Sequence, residues 1–285
     1  MVSSLLKLFN KFLQATFRDK IAISYSTIVL TLVILGYLAS QFGALPYDPE
    51  DLDLDHILSP PLTSGHLLGT DYLGRDLFSR LVLGIDAYFF PGLMAVLIAI
   101  IGGVLVSVIG LFSHRKVSQI INFLNDLILI MPRLVLLLFV IAIFQPSIFV
   151  IMIIVGISNI PTVAQLLNAK IDLLQERSFI DSSIASGIPF YLIVIRHILW
   201  TSCRTILFAQ AAFIMGEAVL MEASLSYLGF GTQEPTPSWG NMVQSGSNYL
   251  LQGDLWPSTF PALAIMLVIS AFYVLSHTIN RLVRQ

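Results

Sequence analysis

Long apolar stretches separated by short polar segments dominate the pattern of this chain. Six such stretches can be identified, and each is long enough to supply the roughly 20 residues that a helix needs to cross the hydrocarbon layer of a membrane. The pattern therefore predicts an all-α polytopic membrane protein with six transmembrane helices. Their approximate ranges are 21–45, 87–112, 120–144, 147–167, 205–225 and 259–282.

Composition excludes a water-soluble domain. Of the 285 residues, 56% are hydrophobic and only 11% are charged, with a mean hydropathy of +0.85. Soluble domains carry about 25% charged residues. Lipid must therefore be the main solvent of this chain.

The distribution of lysine and arginine predicts the orientation, because short basic loops stay on the cytoplasmic side. A topology with both ends in the cytoplasm leaves Arg133 within a span and Arg75 and Arg80 outside. The acidic residues concentrate in 46–86 and 226–258, on the opposite side. This topology places the remaining basic residues inside or at the inner interface: Lys7, Lys11, Arg18, Lys20, Arg115, Lys116, Lys170, Arg177, Arg196, Arg204, Arg281 and Arg284.

Residues 1–20 precede the first span and repeat apolar side chains at helical spacing. Leu5, Leu8 and Phe12 fall on one side while Lys7 and Lys11 point elsewhere. That pattern predicts an amphipathic elbow helix lying in the interface. A cleaved signal sequence is the rival interpretation, but its apolar core would be longer than usual and no clear A-x-A site follows.

Residues 46–85 form a predicted extracytoplasmic loop that ends in a distinctive motif. Gly69 and Gly74 suit turns, and Thr70 or Asp71 is a candidate cap for a helix that has Leu77, Phe78 and Leu81 on one apolar face. The motif reads LGTDYLGRDLFSRL and includes Arg75 and Asp76. Two interpretations stay open: an anchor for the second span with weak surface ion pairs, or a contact surface for an external protein or lid.

Three segments together carry a family resemblance. The loop of about 170–203 contains DSSIASG and RHIL, which resemble the EAA motif of ATP-binding-cassette (ABC) importer permeases, with Asp for Glu, Ser for Ala and Trp200 for Pro. LGTDYLGRDLFSRL and EASLSYLGFG, continuing through PTPSWGNM with Trp239, resemble motifs of the second permease subunit in dipeptide, oligopeptide and nickel importers. Residues 86–285 are accordingly identified as an ABC-type permease core.

The resemblance implies a type I importer fold and a set of partners. These are a second homologous permease subunit forming a heterodimer, two ABC ATPase subunits and an extracytoplasmic solute-binding protein. ATP-Mg would bind the ATPases, and this chain would bind no cofactor. The resemblance also implies that a coupling loop docks on an ATPase, with candidate residues Phe179, Ile180, Asp181, Ser182, Ser183, Gly187, His197 and Leu199.

Four ionisable residues lie within the third and fifth predicted spans, where a charge facing lipid is costly, so each should face protein or water. Glu222 matches the family motif and is expected to bond to loop backbone near Gly229. Glu217 departs from the family's usual small residue, so it is a candidate for meeting a cationic part of the cargo, with an internal salt bridge as the alternative. Asp126 and Arg133 are expected near one helical face, pairing within the bundle or with the partner subunit in preference to forming a substrate site.

Other chemistry is not indicated. Cys203 is the only cysteine, the five histidines lack metal-ligand spacing, and no phosphate-binding loop, hydrolase elbow or basic nucleic-acid tract occurs. The sequence thus predicts a permease subunit of an ATP-driven bacterial inner membrane importer, not an enzyme, with peptides as the expected cargo. Nickel or metal-chelate cargo is one alternative, and an ion-coupled secondary transporter is another.

Overall fold

The computed structural model describes residues 17–63, 65–144, 147–175, 189, 192 and 202–284. The predicted elbow up to residue 16 and all eight named coupling-loop candidates lie outside the described residues. Within them, regular structure is helical, with two isolated β-bridges at Thr63–His66 and Thr70–Asp76. The all-α prediction is confirmed for this part of the chain.

Nine α-helices follow one another along the described chain. We number them in order: α1 Phe17–Gln41, α2 Leu77–Leu83, α3 Phe89–Phe112, α4 Arg115–Ile130, α5 Arg133–Ile143, α6 Ile148–Gln175, α7 Arg204–Tyr227, α8 Trp239–Ser247 and α9 Trp256–Arg284. Short 3-10 turns occupy Leu54–His56, Gly84–Ala87 and Leu250–Gln252.

Five helical segments are long and apolar enough to cross a membrane: Phe17–Gln41, Leu77–Phe112, Ile148–Leu173, Arg204–Tyr227 and Trp256–Leu282. A sixth crossing exists if α4 and α5 form one span, but these helices are bent by 91° at their junction. The expected continuous third span over 120–144 was therefore wrong. Pro132 at the junction disfavours helical backbone at Met131, which has φ −78° and ψ 127°.

Close helix packing joins α3 to α6, and α6 and α7 are the two most buried of the five long apolar helices. On α3, a Cβ added to Gly103 would come within 2.5 Å of Val163 on α6. On α6, a Cβ added to Gly156 would lie 2.9 Å from the carbonyl oxygen of Ala95. Small residues let membrane helices approach closely, which substitutes for a hydrophobic driving force between them.

The first and the last described helices, α1 and α9, lie side by side. The Tyr25 hydroxyl on α1 lies 2.6 Å from the Ser270 hydroxyl on α9, and Ser26 donates to the Ala271 carbonyl at 2.9 Å. Near the same ends of these helices, Asp19 pairs with Arg281. The beginning of α1 and the end of α9 therefore lie on the same side of the bundle.

Candidate functional site: a buried junction and an intramembrane ion pair

The two sequence motifs outside the coupling loop meet in one structure, which we call the buried junction: residues 66–80 together with 232–242. Glu234 links the two segments. Its carboxylate accepts from Arg75 Nη1 at 2.7 Å and from Arg80 Nη2 at 3.1 Å. Both guanidinium side chains are nearly inaccessible, at 3% and 1% exposure.

Asp71 completes the charge balance on the other side of the two arginines. Arg75 Nε donates to Asp71 Oδ2 at 2.7 Å, and Asp71 Oδ1 accepts from the backbone N–H groups of Leu73 and Arg75. Burial works against the charged form of Arg75, but the carboxylates of Asp71 and Glu234 outweigh it and raise the pKa of Arg75 above its ordinary value. Of the two interpretations left open for this motif, weak surface ion pairs do not fit the structure, because Asp71, Arg75 and Asp76 are all buried.

Asp76, and neither Thr70 nor Asp71, caps the helix that follows the motif. Its Oδ2 accepts from the Ser79 N–H at 2.7 Å, while Oδ1 lies 2.9 Å from His66 Nδ1. Thr70 instead ties the preceding loop together, because its hydroxyl accepts from the Ser59 N–H and donates to the His56 carbonyl. The predicted cap was therefore wrong by five or six positions, and the helix begins at Leu77.

The motif's glycines occupy turns that require them. Gly69 has φ +79° and Gly74 has φ +77°, in the left-handed region that side chains rarely adopt. A Cβ on Gly74 would overlap the carbonyl oxygen of Asp53, and one on Gly69 would overlap that of Ser59. The prediction of glycine turns at both positions is confirmed.

Two tryptophans connect the buried junction to neighbouring helices through hydrogen bonds and ring packing. Trp239, the first residue of α8, donates from Nε1 to the Leu81 carbonyl at 2.8 Å, and its ring lies 4.8 Å from that of Tyr88. Trp256 at the start of α9 donates to the Thr70 carbonyl at 3.1 Å. Four helices are thereby fixed around one loop assembly: α2, α3, α8 and α9.

Glu222 connects the junction to α7. It is 1% exposed and accepts a hydrogen bond from the Ser226 hydroxyl at 2.5 Å. The Ser226 hydroxyl also accepts from the Thr232 backbone N–H at 3.0 Å. Glu222 therefore bonds to the Ser226 hydroxyl and not to loop backbone near Gly229 as expected; its place as a buried acceptor beside that loop agrees with the expectation.

A second charged cluster lies deeper, between α5, α6 and α7. Arg133 Nη1 pairs with Glu217 Oε1, and Arg133 Nη2 donates to the Thr162 hydroxyl at 3.2 Å. Asn159 Nδ2 donates to the other Glu217 oxygen at 2.9 Å. Of the two interpretations of Glu217, the internal salt bridge is the one that the structure forms.

Asp126 and Arg133 are not brought together as expected. The bend between α4 and α5 separates them, so they no longer share a helical face. Asp126 lies exposed on α4, whereas Arg133 turns inward to Glu217.

Several functional candidates were missed from sequence. His66, Arg80 and Glu234 were not singled out, although Arg80 is part of the quoted motif and Glu234 immediately precedes the Pro-Thr-Pro-Ser-Trp segment. Asn159 and Thr162 were also missed, and their signal was the presence of polar residues next to Pro161 inside an apolar stretch.

Comparison with known proteins decides the family. Residues 99–285 match the model for "Binding-protein-dependent transport system inner membrane component". This chain belongs to that family. It is therefore a multi-pass inner membrane permease subunit and not an enzyme, since ATP hydrolysis resides in a separate subunit, and permeases of this family generally bind no cofactor.

Curated relatives cover most of the chain. It is 34% identical over 248 residues to the probable D,D-dipeptide transport system permease protein DdpC of Escherichia coli, covering 87% of this chain and 82% of the relative. It is 32% identical to the di/tripeptide permease DppC of Pseudomonas aeruginosa, with 92% and 87% covered. The glutathione permease GsiD of Pectobacterium atrosepticum is 30% identical, with 93% and 87% covered.

Proposed function

We propose that this chain is one of two non-identical permease subunits of an ATP-driven importer for short peptides. The observation that carries the cargo assignment is the shared chemistry in the relatives' names: D,D-dipeptides, di- and tripeptides, and glutathione, which is itself a tripeptide. Family membership supports ATPase and substrate-binding partners. An ion-coupled secondary transporter is not favoured.

Both ends of the chain lie in the cytoplasm in this proposal. The pairing of Asp19 with Arg281 supports it, because it places the start of α1 and the end of α9 on one face. The concentration of basic residues near these ends supports assigning that face to the cytoplasm. The buried junction then lies on the opposite, extracytoplasmic side, where a solute-binding protein delivers cargo.

The coupling loop of about 170–203 docks on an ATPase in this proposal. ATP binding closes the two ATPases and draws the loops of the two permease subunits together, which opens the pathway outward. Hydrolysis and product release reset the pair. This is a two-state bundle whose equilibrium is biased by differential affinity for ATP.

The test is uptake by the assembled importer in proteoliposomes. The complex that purifies with this chain is reconstituted with its binding protein, and entry of radiolabelled trialanine is measured with ATP, without ATP and under a proton gradient alone. We expect uptake that requires both ATP and the binding protein. Uptake driven by the proton gradient without ATP would contradict the proposal, and uptake of nickel instead of peptide would replace the cargo assignment.

A further inference from the structure

The broken helix between α4 and α5 is an unusual feature of the membrane domain. Chain direction changes by 91° at Met131 and Pro132, within a stretch whose composition otherwise suits the hydrocarbon layer. Irregular backbone at membrane depth is tolerated only where it is buried in protein or lines a water-filled cavity, because lipid cannot satisfy its polar groups. Met131 is 40% exposed, so the described residues of this chain do not bury the break.

Arg133 stands directly at this break, as the first residue of α5. Its side chain is 28% exposed, whereas that of its partner Glu217 is 8% exposed. The pair is therefore asymmetric. The Glu217 carboxylate is enclosed, with Asn159 donating to its second oxygen, and Arg133 is the more exposed member of the pair.

The cluster also contains an unused hydrogen-bonding group. Asn159 is fully buried, and its Oδ1 atom has no hydrogen-bond partner among the described residues. Buried polar atoms normally find a protein or water partner. An orphaned oxygen beside the ion pair indicates that water or another donor reaches this cluster.

A purely architectural role explains these features poorly. A buried ion pair is a weak source of stability, since well-packed apolar residues of similar volume often serve as well. Membrane-embedded ionisable residues instead tend to mark substrate pathways. Arg is also suited to planar, bidentate recognition of a carboxylate.

We propose that Arg133 lines the translocation pathway and contacts a carboxylate of the passing peptide, with Glu217, Thr162 and Asn159 as residues that position it. This inference rests on the proposed function, because it assumes a peptide cargo. The exposed member of the pair is a cation, so the cargo group that it meets is an anion, and Glu217 holds the guanidinium without presenting its own charge.

Water access to the break tests the location. Arg133→Cys is made in the assembled importer, in a Cys203→Ser background, and treated with a membrane-impermeant trimethylammonium methanethiosulfonate. We expect Arg133→Cys to react, and to react more slowly while peptide is being transported. Phe139→Cys, on α5 and 63% exposed, is the control that should stay unreactive in lipid.

Arg133→Cys removes the ion pair and could prevent assembly, so Met131→Cys is tested as well. Met131→Cys leaves the ion pair intact and should also react with the thiol reagent. If neither Met131→Cys nor Arg133→Cys reacted in an assembled importer, the proposal would be overturned. This readout does not depend on which cargo the binding protein selects, so it can fail while peptide uptake by the unmodified importer succeeds.

Cargo chemistry tests the contact itself. Maximal uptake of trialanine and of its C-terminal amide is compared for the unmodified importer, Arg133→Gln and Arg133→Lys, with one and the same binding protein. We expect Arg133→Gln to lower the free-acid to amide ratio by about tenfold, as loss of a charged hydrogen bond implies, and Arg133→Lys to restore part of it. An unchanged ratio, with both rates lowered together, would show a merely structural pair.

Discussion

At the scale of single residues, Glu234 is the acceptor on which two buried arginines depend. Replacing it by Gln leaves Arg75 and Arg80 with less compensating charge in a buried setting, and Arg75 Nη2 already lacks a hydrogen-bond partner among the described residues. We expect Glu234→Gln to cost about 3 kcal/mol, at the low end for a broken buried pair because Glu234 is itself partly exposed.

The measurement is thermal unfolding of the purified complex in detergent. Glu50→Gln is the control, since Glu50 is an exposed carboxylate in the loop between α1 and α2 and its replacement should leave the melting temperature unchanged. Equal melting temperatures for the two variants would contradict the role assigned to Glu234.

Gly74 carries a second prediction at this scale. Gly74→Ala should disrupt the junction loop, because the added Cβ would overlap the Asp53 carbonyl as well as straining a left-handed backbone. Gly43→Ala is the control for backbone strain without a steric clash, since Gly43 has φ +65° and open space around its Cβ position. Limited proteolysis should show faster cleavage of the loop in Gly74→Ala than in Gly43→Ala, and equal rates would refute the clash.

The two segments of the junction could be recognised as motifs in the sequence, but the contacts between them could not. Gly69 and Gly74 were readable as turns because glycine alone suits positive φ. The partnership of Glu234 with Arg75 and Arg80 was not readable, since these residues lie more than 150 positions apart and only the folded bundle brings them together. For the same reason Arg133 and Glu217 could be marked as costly charges but not paired.

At the scale of helices, the bend at Pro132 makes a distance prediction. Phe123 on α4 and Phe139 on α5 are both exposed, so each can be replaced by cysteine in a Cys203→Ser background and spin-labelled. A straight helix would separate their backbones by about 24 Å, whereas a right-angle bend shortens this to about 17 Å. We expect the shorter distance by pulsed electron paramagnetic resonance.

Pro132→Ala is the companion variant for this distance. It removes the restriction on Met131, so the distance should lengthen toward that of a continuous helix. A long distance in the unmodified protein would contradict the broken span.

The apolar pattern predicted most of the long helices, but neither the break in the third span nor the short helix α8. Five spans were predicted well because long apolar runs leave few alternatives to a helix. The third span was predicted as one helix because the apolar stretch 120–144 is long enough and contains a single proline, Pro132. Proline kinks some membrane helices and breaks others, so the sequence alone did not reveal the break. Helix α8 was not drawn, since its nine residues are too few and too polar to register as a span.

At the scale of the whole molecule, the coupling loop is expected to transmit the ATPase cycle to the bundle. Gly187→Trp should abolish ATP-driven uptake, because a bulky side chain prevents close seating of the loop on its partner. Gly187→Ala is the conservative control and should retain most uptake. Both are assayed in proteoliposomes at equal amounts of assembled complex, and full uptake by Gly187→Trp would refute the docking assignment.

The central claim is that this permease works only together with partners that supply energy and cargo. Its most direct test is purification of the tagged chain in mild detergent, followed by mass spectrometry of the proteins that accompany it. We expect a second, non-identical permease subunit and ABC ATPase subunits to be recovered with this chain. Recovery of this chain alone, with transport activity after reconstitution, would contradict it.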